Sequence, residues 1–153
     1  MTTVDESNEI LLIGELRRDE GVRYEPYNDT MGIPTVGVGQ NLKAAPLPDV
    51  WSYPLTDDQV DNLLKQDLQV VYKGLTDNLP WWLFLDAVRQ RVLANMCFNM
   101  GIGKLLTFQN TLGFVKNGQF KQAADGMANS VWAKQVGERA VRLENMMRTG
   151  EVV

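Results

Sequence analysis

The sequence contains no histidine and a single cysteine among its 153 residues. Without histidine, a Ser-His-Asp triad, a histidine general base and most zinc sites are excluded. The one cysteine, Cys97, excludes an internal disulfide, so folding does not depend on an oxidising compartment. It lies in the apolar helical run 94–98, which favours a buried structural thiol. We predict neither a metal site nor a cofactor.

Long apolar runs are also missing. No stretch of about 18 or more apolar residues occurs, and the first ten residues include three acids. We therefore expect neither a membrane-spanning segment nor a secretion signal, and we expect synthesis in the cytoplasm. Clusters of Lys and Arg interleaved with aromatic residues are absent as well, so nucleic acid is not an expected partner.

The net charge of −4 is unevenly distributed along the chain. Residues 1–80 contain 14 Asp and Glu against 6 Lys and Arg, whereas residues 81–153 contain 5 against 9. One interpretation is ordinary solvated surface. The other is a cationic second half that faces an anionic polymer, beside an acidic first half that supplies carboxylates for catalysis.

Apolar spacing and glycine content divide the chain into elements. A first helix is predicted over 7–19, a small antiparallel sheet over 22–42 and a proline-rich loop over 43–55. Helical spacing then recurs almost to the C-terminus, over 56–74, 83–100, 107–116, 119–129 and 138–147. Thr56 and Gln59 have the spacing of a capping box at the start of the long helix.

We predict from these elements one α+β domain over 1–153. Its 44% hydrophobic residues suffice for one sizeable core, or for two small lobes that share a helix. The predicted parts are a sheet-bearing lobe over 8–55, a connecting helix over 56–78 and an all-helical lobe over 80–150 on which helix 8–19 packs.

The stretch 19–39 concentrates the candidate catalytic residues. Glu20 ends the first predicted helix, where the macrodipole disfavours negative charge and favours the protonated form that a general acid needs. Asp29 lies in a turn cluster, and Thr35 lies in the strand that follows. Singly, each has an ordinary interpretation as a surface acid, a turn cap or a strand residue. Together they can place two carboxylates and a hydroxyl around one cleft, as cleavage of a glycosidic bond requires.

The order of these motifs is specific. They read Asp19-Glu20-Gly21, Tyr27-x-Asp29-Thr30-x-Gly32 and Pro34-Thr35-Val36-Gly37-Val38-Gly39, followed by Phe98-Asn99-Met100-Gly101, Ser130-x-Trp132 and Glu138-Arg139-Ala140. This order resembles the phage-type lysozymes, glycoside hydrolase family 24, over about residues 8–150 of the chain. The resemblance implies a lysozyme-like fold in which a small sheet lobe is joined by a long helix to an all-helical lobe.

The resemblance also implies a reaction: hydrolysis of peptidoglycan between N-acetylmuramic acid and N-acetylglucosamine, with inversion. Glu20 would protonate the glycosidic oxygen, while Asp29 and Thr35 would hold and activate a water on the opposite face of the sugar. Inversion by this route requires carboxyl groups roughly 6.5–9.5 Å apart. Arg139 matches the arginine that pairs with the catalytic glutamate.

Positions near the family's sugar-binding cleft are matched by Gly39, Asn95, Phe98 and Asn99. Core packing explains Phe98 equally well, and satisfaction of buried backbone explains Asn95 equally well. For Trp132, core packing is the preferred interpretation over stacking on a sugar.

The chain departs from the family pattern at two points. Gln40 replaces the usual histidine of Gly-x-Gly-His, and Asp67 stands at the position of the acid that pairs with that histidine. We expect a hydrogen bond between the Gln40 amide and the Asp67 carboxylate that lacks the histidine's charge. The second departure is the acidic net charge, which requires the cationic half of the chain to face the wall polymer.

The resemblance implies an endolysin that digests the wall from within the host during lysis. It would stay in the host cytoplasm until a holin or another permeabilising factor released it to the periplasm and wall. We expect a monomer without stable membrane insertion. Two alternatives stay open: a lysozyme-fold binding or scaffold module without turnover, and an enzyme of the same fold acting on another amino sugar such as chitin.

Overall fold

A computed structural model describes residues 4–152 of the chain. Within this part lie a three-stranded sheet, a 3₁₀ helix and eight α-helices, so the α+β class predicted from sequence is confirmed. In chain order the elements are α1 (Glu6–Glu20), β1 (Arg23–Asn28), β2 (Pro34–Gly37), β3 (Gln40–Asn41), α2 (Asp57–Asn78), the 3₁₀ helix (Pro80–Phe84), α3 (Ala87–Met100), α4 (Ile102–Leu105), α5 (Gln109–Lys116), α6 (Phe120–Ala128), α7 (Val131–Val136) and α8 (Glu138–Thr149).

The chain divides into two compact units. The first is Glu9–Gln69, and the second joins the described residues up to Asn8 with those from Val70 onward. Two helices, α1 and α2, continue from one unit into the other. The sequence-based division differs, because it treats the connecting helix 56–78 as a part of its own. That division stays a prediction.

The sheet belongs to the Glu9–Gln69 unit and is antiparallel, in the order β1–β2–β3. Asn28 pairs with Pro34 across β1 and β2, and Val36 pairs with Gln40 across β2 and β3. Gly39 makes the tight turn between β2 and β3 possible, because its φ of +74° lies where L side chains are strained. The apolar side chains buried in this unit include Leu12, Leu16, Val36, Val38, Leu55, Val60, Leu64 and Leu68.

The predicted capping box begins α2. The Thr56 N–H donates to Gln59 Oε1 at 2.9 Å, and the Gln59 N–H donates to Thr56 Oγ1 at 3.1 Å. The helix continues to Asn78, beyond Gly74, where its apolar spacing ends, and apart from Thr56 it covers the residues 56–78 predicted for the connecting helix. Gly74 serves packing instead, because a Cβ at that position would meet the Ile102 side chain at 3.4 Å.

The second unit contains the other helices. The structure differs from the sequence-based prediction there at the start of one helix and in two short helices that were not predicted. The helix predicted from residue 83 begins at Ala87, because Asp86 caps it by accepting the Arg89 N–H at 3.1 Å. The preceding segment forms the separate 3₁₀ helix. The short helices α4 and α7 were not predicted, since one or two turns carry little periodicity. The Ser130 hydroxyl accepts the Ala133 N–H at 3.1 Å and so caps the start of α7. A serine at this position was the one feature of the sequence that could have indicated this helix.

The core of the second unit is apolar and contains two informative side chains. Trp82 is fully buried, stacks on Tyr72 with ring centroids 6.0 Å apart and donates Nε1–H to Thr76 Oγ1 at 3.0 Å. Cys97 is buried, as predicted, and burial raises the pKa of its thiol to about 11. Among residues 4–152, no helix is both long and apolar enough to cross a bilayer.

Candidate active site

Glu20 is the last residue of α1, and a hydrogen-bonded cluster fixes the end of this helix. Arg17, one turn earlier, donates from Nη2 to Asp57 Oδ1 and from Nη1 to Asp61 Oδ1, each at 2.7 Å. The Tyr24 hydroxyl of β1 donates to the same Asp57 oxygen at 2.7 Å. The cluster therefore ties the end of α1 to β1 and to the first turns of α2, within one unit.

In this cluster the single positive charge of Arg17 is shared by two carboxylates, those of Asp57 and Asp61. Hydrogen bonds from Tyr24 and Arg17 lower the pKa of the Asp57 carboxyl, and the Asp57 carboxylate raises the pKa of the Tyr24 hydroxyl. Sequence reasoning missed the cluster, because its members lie on three elements and share no local spacing. The placement of Glu20 thus depends on residues that no motif indicated.

Asp29 follows β1 directly and organises the turn that leads to β2. Its Oδ1 accepts the Met31 N–H at 2.8 Å and the Ile33 N–H at 2.9 Å. Its own N–H donates to the Ile33 carbonyl at 3.0 Å, and the Gly32 N–H donates to the Asp29 carbonyl at 2.9 Å. Among the described residues, no group donates to Oδ2 of Asp29. The carboxylate is therefore held by one oxygen while the other faces no protein donor.

Thr35 lies on β2 and is joined to Asp29 through Ile33. The Thr35 side chain is buried, and its hydroxyl donates to the Ile33 carbonyl at 2.9 Å. The same carbonyl accepts the Asp29 N–H. Because the only hydroxyl hydrogen of Thr35 is committed to Ile33, its Oγ1 can offer only lone pairs to a further partner. Ile33 contributes through its main chain, which is why residue types gave no signal for it.

Four of the candidate site residues, together with Trp132, lie in the second unit. Arg139, in the first turn of α8, is buried and donates Nε–H to Asn95 Oδ1 at 2.9 Å, and Asn95 on α3 is fully buried. Asn99, also on α3, accepts Nε1–H of Trp132 at 2.7 Å. Trp132 is buried, as core packing predicts, and Phe98 is half-buried. Within this unit the structure brings Arg139 to Asn95 and Asn99 to Trp132.

Gly39, Gln40 and Asp67 lie in the first unit with Glu20, Asp29 and Thr35. Gly39 is exposed, Gln40 is buried and Asp67 is half-buried on α2. Among residues 4–152, Gln40 and Asp67 form no hydrogen bond with each other, so the predicted amide–carboxylate bond is wrong. Burial alone sets the behaviour of Asp67 and raises the pKa of its carboxyl from 3.8 to about 6.

Asp67 is therefore expected to make folding depend on pH. Its raised pKa favours the protonated native state, so its stabilising effect is complete below pH 3.8 and is lost as pH rises through about 6. Replacing Asp67 with Asn removes the ionised form. Because the carboxyl is half-exposed, we expect the variant to gain about 1 kcal/mol of unfolding free energy at neutral pH. At about pH 4 we expect almost no gain.

The measurement is urea unfolding of wild type and Asp67→Asn at both pH values. The matched control is Asp49→Asn, which removes an exposed aspartate from a loop of the same unit. A difference between wild type and Asp67→Asn that is the same at both pH values would contradict the expected titration.

The Glu9–Gln69 unit combines the residue types on which hydrolysis of a glycosidic bond depends. An α+β chain presents a carboxylate at a helix end and, in the same unit, a carboxylate and a hydroxyl joined through one residue of a hairpin. A glycoside hydrolase uses two carboxyl groups, one to protonate the leaving oxygen and one to act on water or on the sugar. The chain belongs to the phage lysozyme family, whose sequence profile matches residues 17–148.

Similarity to individual proteins supports this assignment. The chain is 30% identical to probable T4-type lysozyme 1 of Dictyostelium discoideum, over 88% of this chain and 92% of that protein. It is 33% identical to the endolysin of Salmonella phage P22, over 58% of this chain and 60% of that protein. It is also 27% identical, over 97% of its length, to the pre-baseplate central spike protein Gp5 of Enterobacteria phage T4, of which it spans only 29%.

Proposed function

We propose that this chain is a muramidase, which hydrolyses the β-1,4 bond between N-acetylmuramic acid and N-acetylglucosamine of peptidoglycan with inversion. Membership of the phage lysozyme family supports a lysozyme-type glycoside hydrolase. The observation that carries the proposal is the attachment of both Asp29 and Thr35 to Ile33. In the proposal, the free carboxylate oxygen of Asp29 and a lone pair of the Thr35 hydroxyl accept the two hydrogens of one water molecule.

The proposed reaction is a single displacement. A water donates one hydrogen bond to Asp29 Oδ2 and one to Thr35 Oγ1, so its lone pair is directed at the anomeric carbon. As the water oxygen bonds to that carbon, the bond to the glycosidic oxygen breaks and Glu20 protonates the leaving oxygen. The water proton passes to Asp29, and the sugar leaves with inverted configuration.

In this scheme Thr35 acts through an acceptor oxygen and not through its bulk. Replacing Thr35 with Val keeps the shape and removes the oxygen, so we expect the hydrolysis rate to fall about 100-fold. Replacing it with Ser keeps the hydroxyl, and we expect a loss of less than about tenfold. Initial rates of turbidity loss with purified peptidoglycan measure both.

A structural role for Thr35 alone predicts a different ranking of the two variants. The hydroxyl donates to the main-chain carbonyl of half-buried Ile33, so Val is expected to cost stability as well, and unfolding free energies must be measured beside the rates. Equal losses of activity in Thr35→Ser and Thr35→Val would contradict the role of the oxygen.

Product analysis tests the proposal as a whole. Purified peptidoglycan is digested, and the products are separated, weighed by mass spectrometry and reduced to identify the reducing-end sugar. We expect muramic acid at the new reducing ends, and the α-anomer in proton NMR spectra recorded early in the reaction. Reducing ends on N-acetylglucosamine would show another bond specificity. Absence of products from folded protein would support a binding module.

The biological role that we propose is host lysis. The enzyme would be held in the host cytoplasm as a monomer and would reach the wall after a holin or a comparable factor permeabilised the inner membrane. Expression in bacterial cells tests this order of events. We expect no lysis from the chain alone, and rapid lysis once the membrane is permeabilised chemically. Lysis without permeabilisation would show an independent route to the wall.

A further inference from the structure

The 3₁₀ helix Pro80–Phe84 presents aromatic side chains on one face. In a 3₁₀ helix, side chains three residues apart are eclipsed, so Trp81 and Phe84 lie on the same face. Phe84 is 90% exposed and Trp81 is half-buried. Trp82 between them is fully buried against Tyr72, which anchors the segment. The outward aromatic face is therefore a fixed feature of this unit.

An open apolar cavity adjoins Trp81. Its volume is about 240 Å³, and its apolar walls come from Leu79, Leu106 and Leu112. Gly113 lines it without a side chain, and a Cβ there would meet nothing within 4 Å. The cavity thus extends the aromatic face into a recess that a hydrocarbon chain can enter.

The charge beside this recess is positive. Lys116 lines the cavity and forms no ion pair with any other residue that the structure describes. The two acids that flank the 3₁₀ helix in sequence are both compensated: Lys73 Nζ contacts Asp77 at 2.8 Å, and Arg89 Nη1 contacts Asp86 at 3.1 Å. A ligand at this place meets aromatic and aliphatic carbon together with one uncompensated cation.

We propose that Trp81, Phe84 and Lys116 form a peripheral docking site for an anionic phospholipid bilayer. Trp and Phe favour the boundary between headgroups and acyl chains, and a lysine beside them attracts anionic headgroups. A folded protein partner fits less well, because a stable protein interface uses about 20 residues on each side. The site lies wholly in the second unit and does not involve Glu20, Asp29 or Thr35.

Co-sedimentation with lipid vesicles tests the proposal. We expect the wild-type chain to sediment with vesicles that contain phosphatidylglycerol, to bind vesicles of phosphatidylcholine alone much more weakly, and to lose binding at high salt. Replacing Phe84 with Ser is expected to lower the partition coefficient about tenfold. Replacing Lys116 with Gln is expected to lower it about fivefold for anionic vesicles only.

Two controls separate docking from misfolding and from general stickiness. Val50→Ser removes an apolar side chain that is 89% exposed in the other unit, and we expect binding to be unchanged. Phe84→Ser is expected to keep the melting temperature and the hydrolysis of membrane-free peptidoglycan. Equal losses in Phe84→Ser and Val50→Ser, or no binding to anionic vesicles, would overturn the proposal. So would concentration-dependent self-association that Phe84→Ser abolishes, since the face would then join two copies of the chain.

Discussion

Replacing Glu20 with Gln is expected to lower the rate of peptidoglycan hydrolysis by about 100- to 10,000-fold. The amide has nearly the same shape but no acidic proton for the glycosidic oxygen, so the leaving sugar must depart as an alkoxide. Glu20 is exposed at the end of α1, and Arg17 ties that helix end to Asp57 and Asp61. The free energies of unfolding of wild type and Glu20→Gln are measured beside the rates, so that a loss of activity is compared between folded proteins.

A substrate with an acidic leaving group isolates the protonation step. The leaving group of a nitrophenyl muramyl glycoside is a stable nitrophenolate that needs no proton from an acid, so hydrolysis of this substrate should fall far less in Glu20→Gln than hydrolysis of peptidoglycan. Glu25→Gln is the matched control, since Glu25 is an exposed glutamate on the neighbouring strand. Similar losses on both substrates would assign Glu20 a role in binding, and an equal loss in Glu25→Gln would show that charge in general matters.

Most of the secondary structure could be predicted from interactions between residues that are close in the sequence. The capping box at Thr56 and Gln59, the turn cluster around Asp29 and the helical spacing of α5, α6 and α8 each act within a few residues, so a short pattern is enough to predict them. Gly74 shows the limit of such patterns. Glycine is typical both of a helix end and of close packing, and only the position of Ile102 decides between them.

The candidate site could be predicted less completely, because it depends on contacts between elements. Motif spacing indicated Asp29 and Thr35, but the residue that joins them, Ile33, acts through its N–H and carbonyl groups. Spacing also suggested a bond between Gln40 and Asp67 that does not form, since matching positions in a motif do not fix the distance between two side chains. Main-chain hydrogen bonds and tertiary distances are what a single sequence leaves undetermined.

Asp29→Asn is the variant that separates the catalytic role of Asp29 from its role in the turn. The asparagine Oδ1 can still accept the Met31 and Ile33 N–H groups, so we expect the turn and the free energy of unfolding to be retained. Its Nδ2 replaces Oδ2 and can neither accept a hydrogen bond from water nor take its proton. Hydrolysis of peptidoglycan is therefore expected to fall about 100- to 10,000-fold.

Added azide tests whether Asp29 acts on the face of the sugar that is attacked, and the configuration of the wild-type product tells activation of water apart from covalent catalysis. Azide is an anionic nucleophile that needs no base, so with the activated glycoside it should restore turnover in Asp29→Asn and give a glycosyl azide of inverted configuration. If wild-type Asp29 instead attacked the sugar itself, two displacements would follow, and the wild-type sugar product would keep its configuration. Retention in the wild-type product would overturn the proposed mechanism. Inversion there, with azide rescue of the variant, would leave Asp29 as the base and Thr35, held through the same Ile33, as the second acceptor of the water.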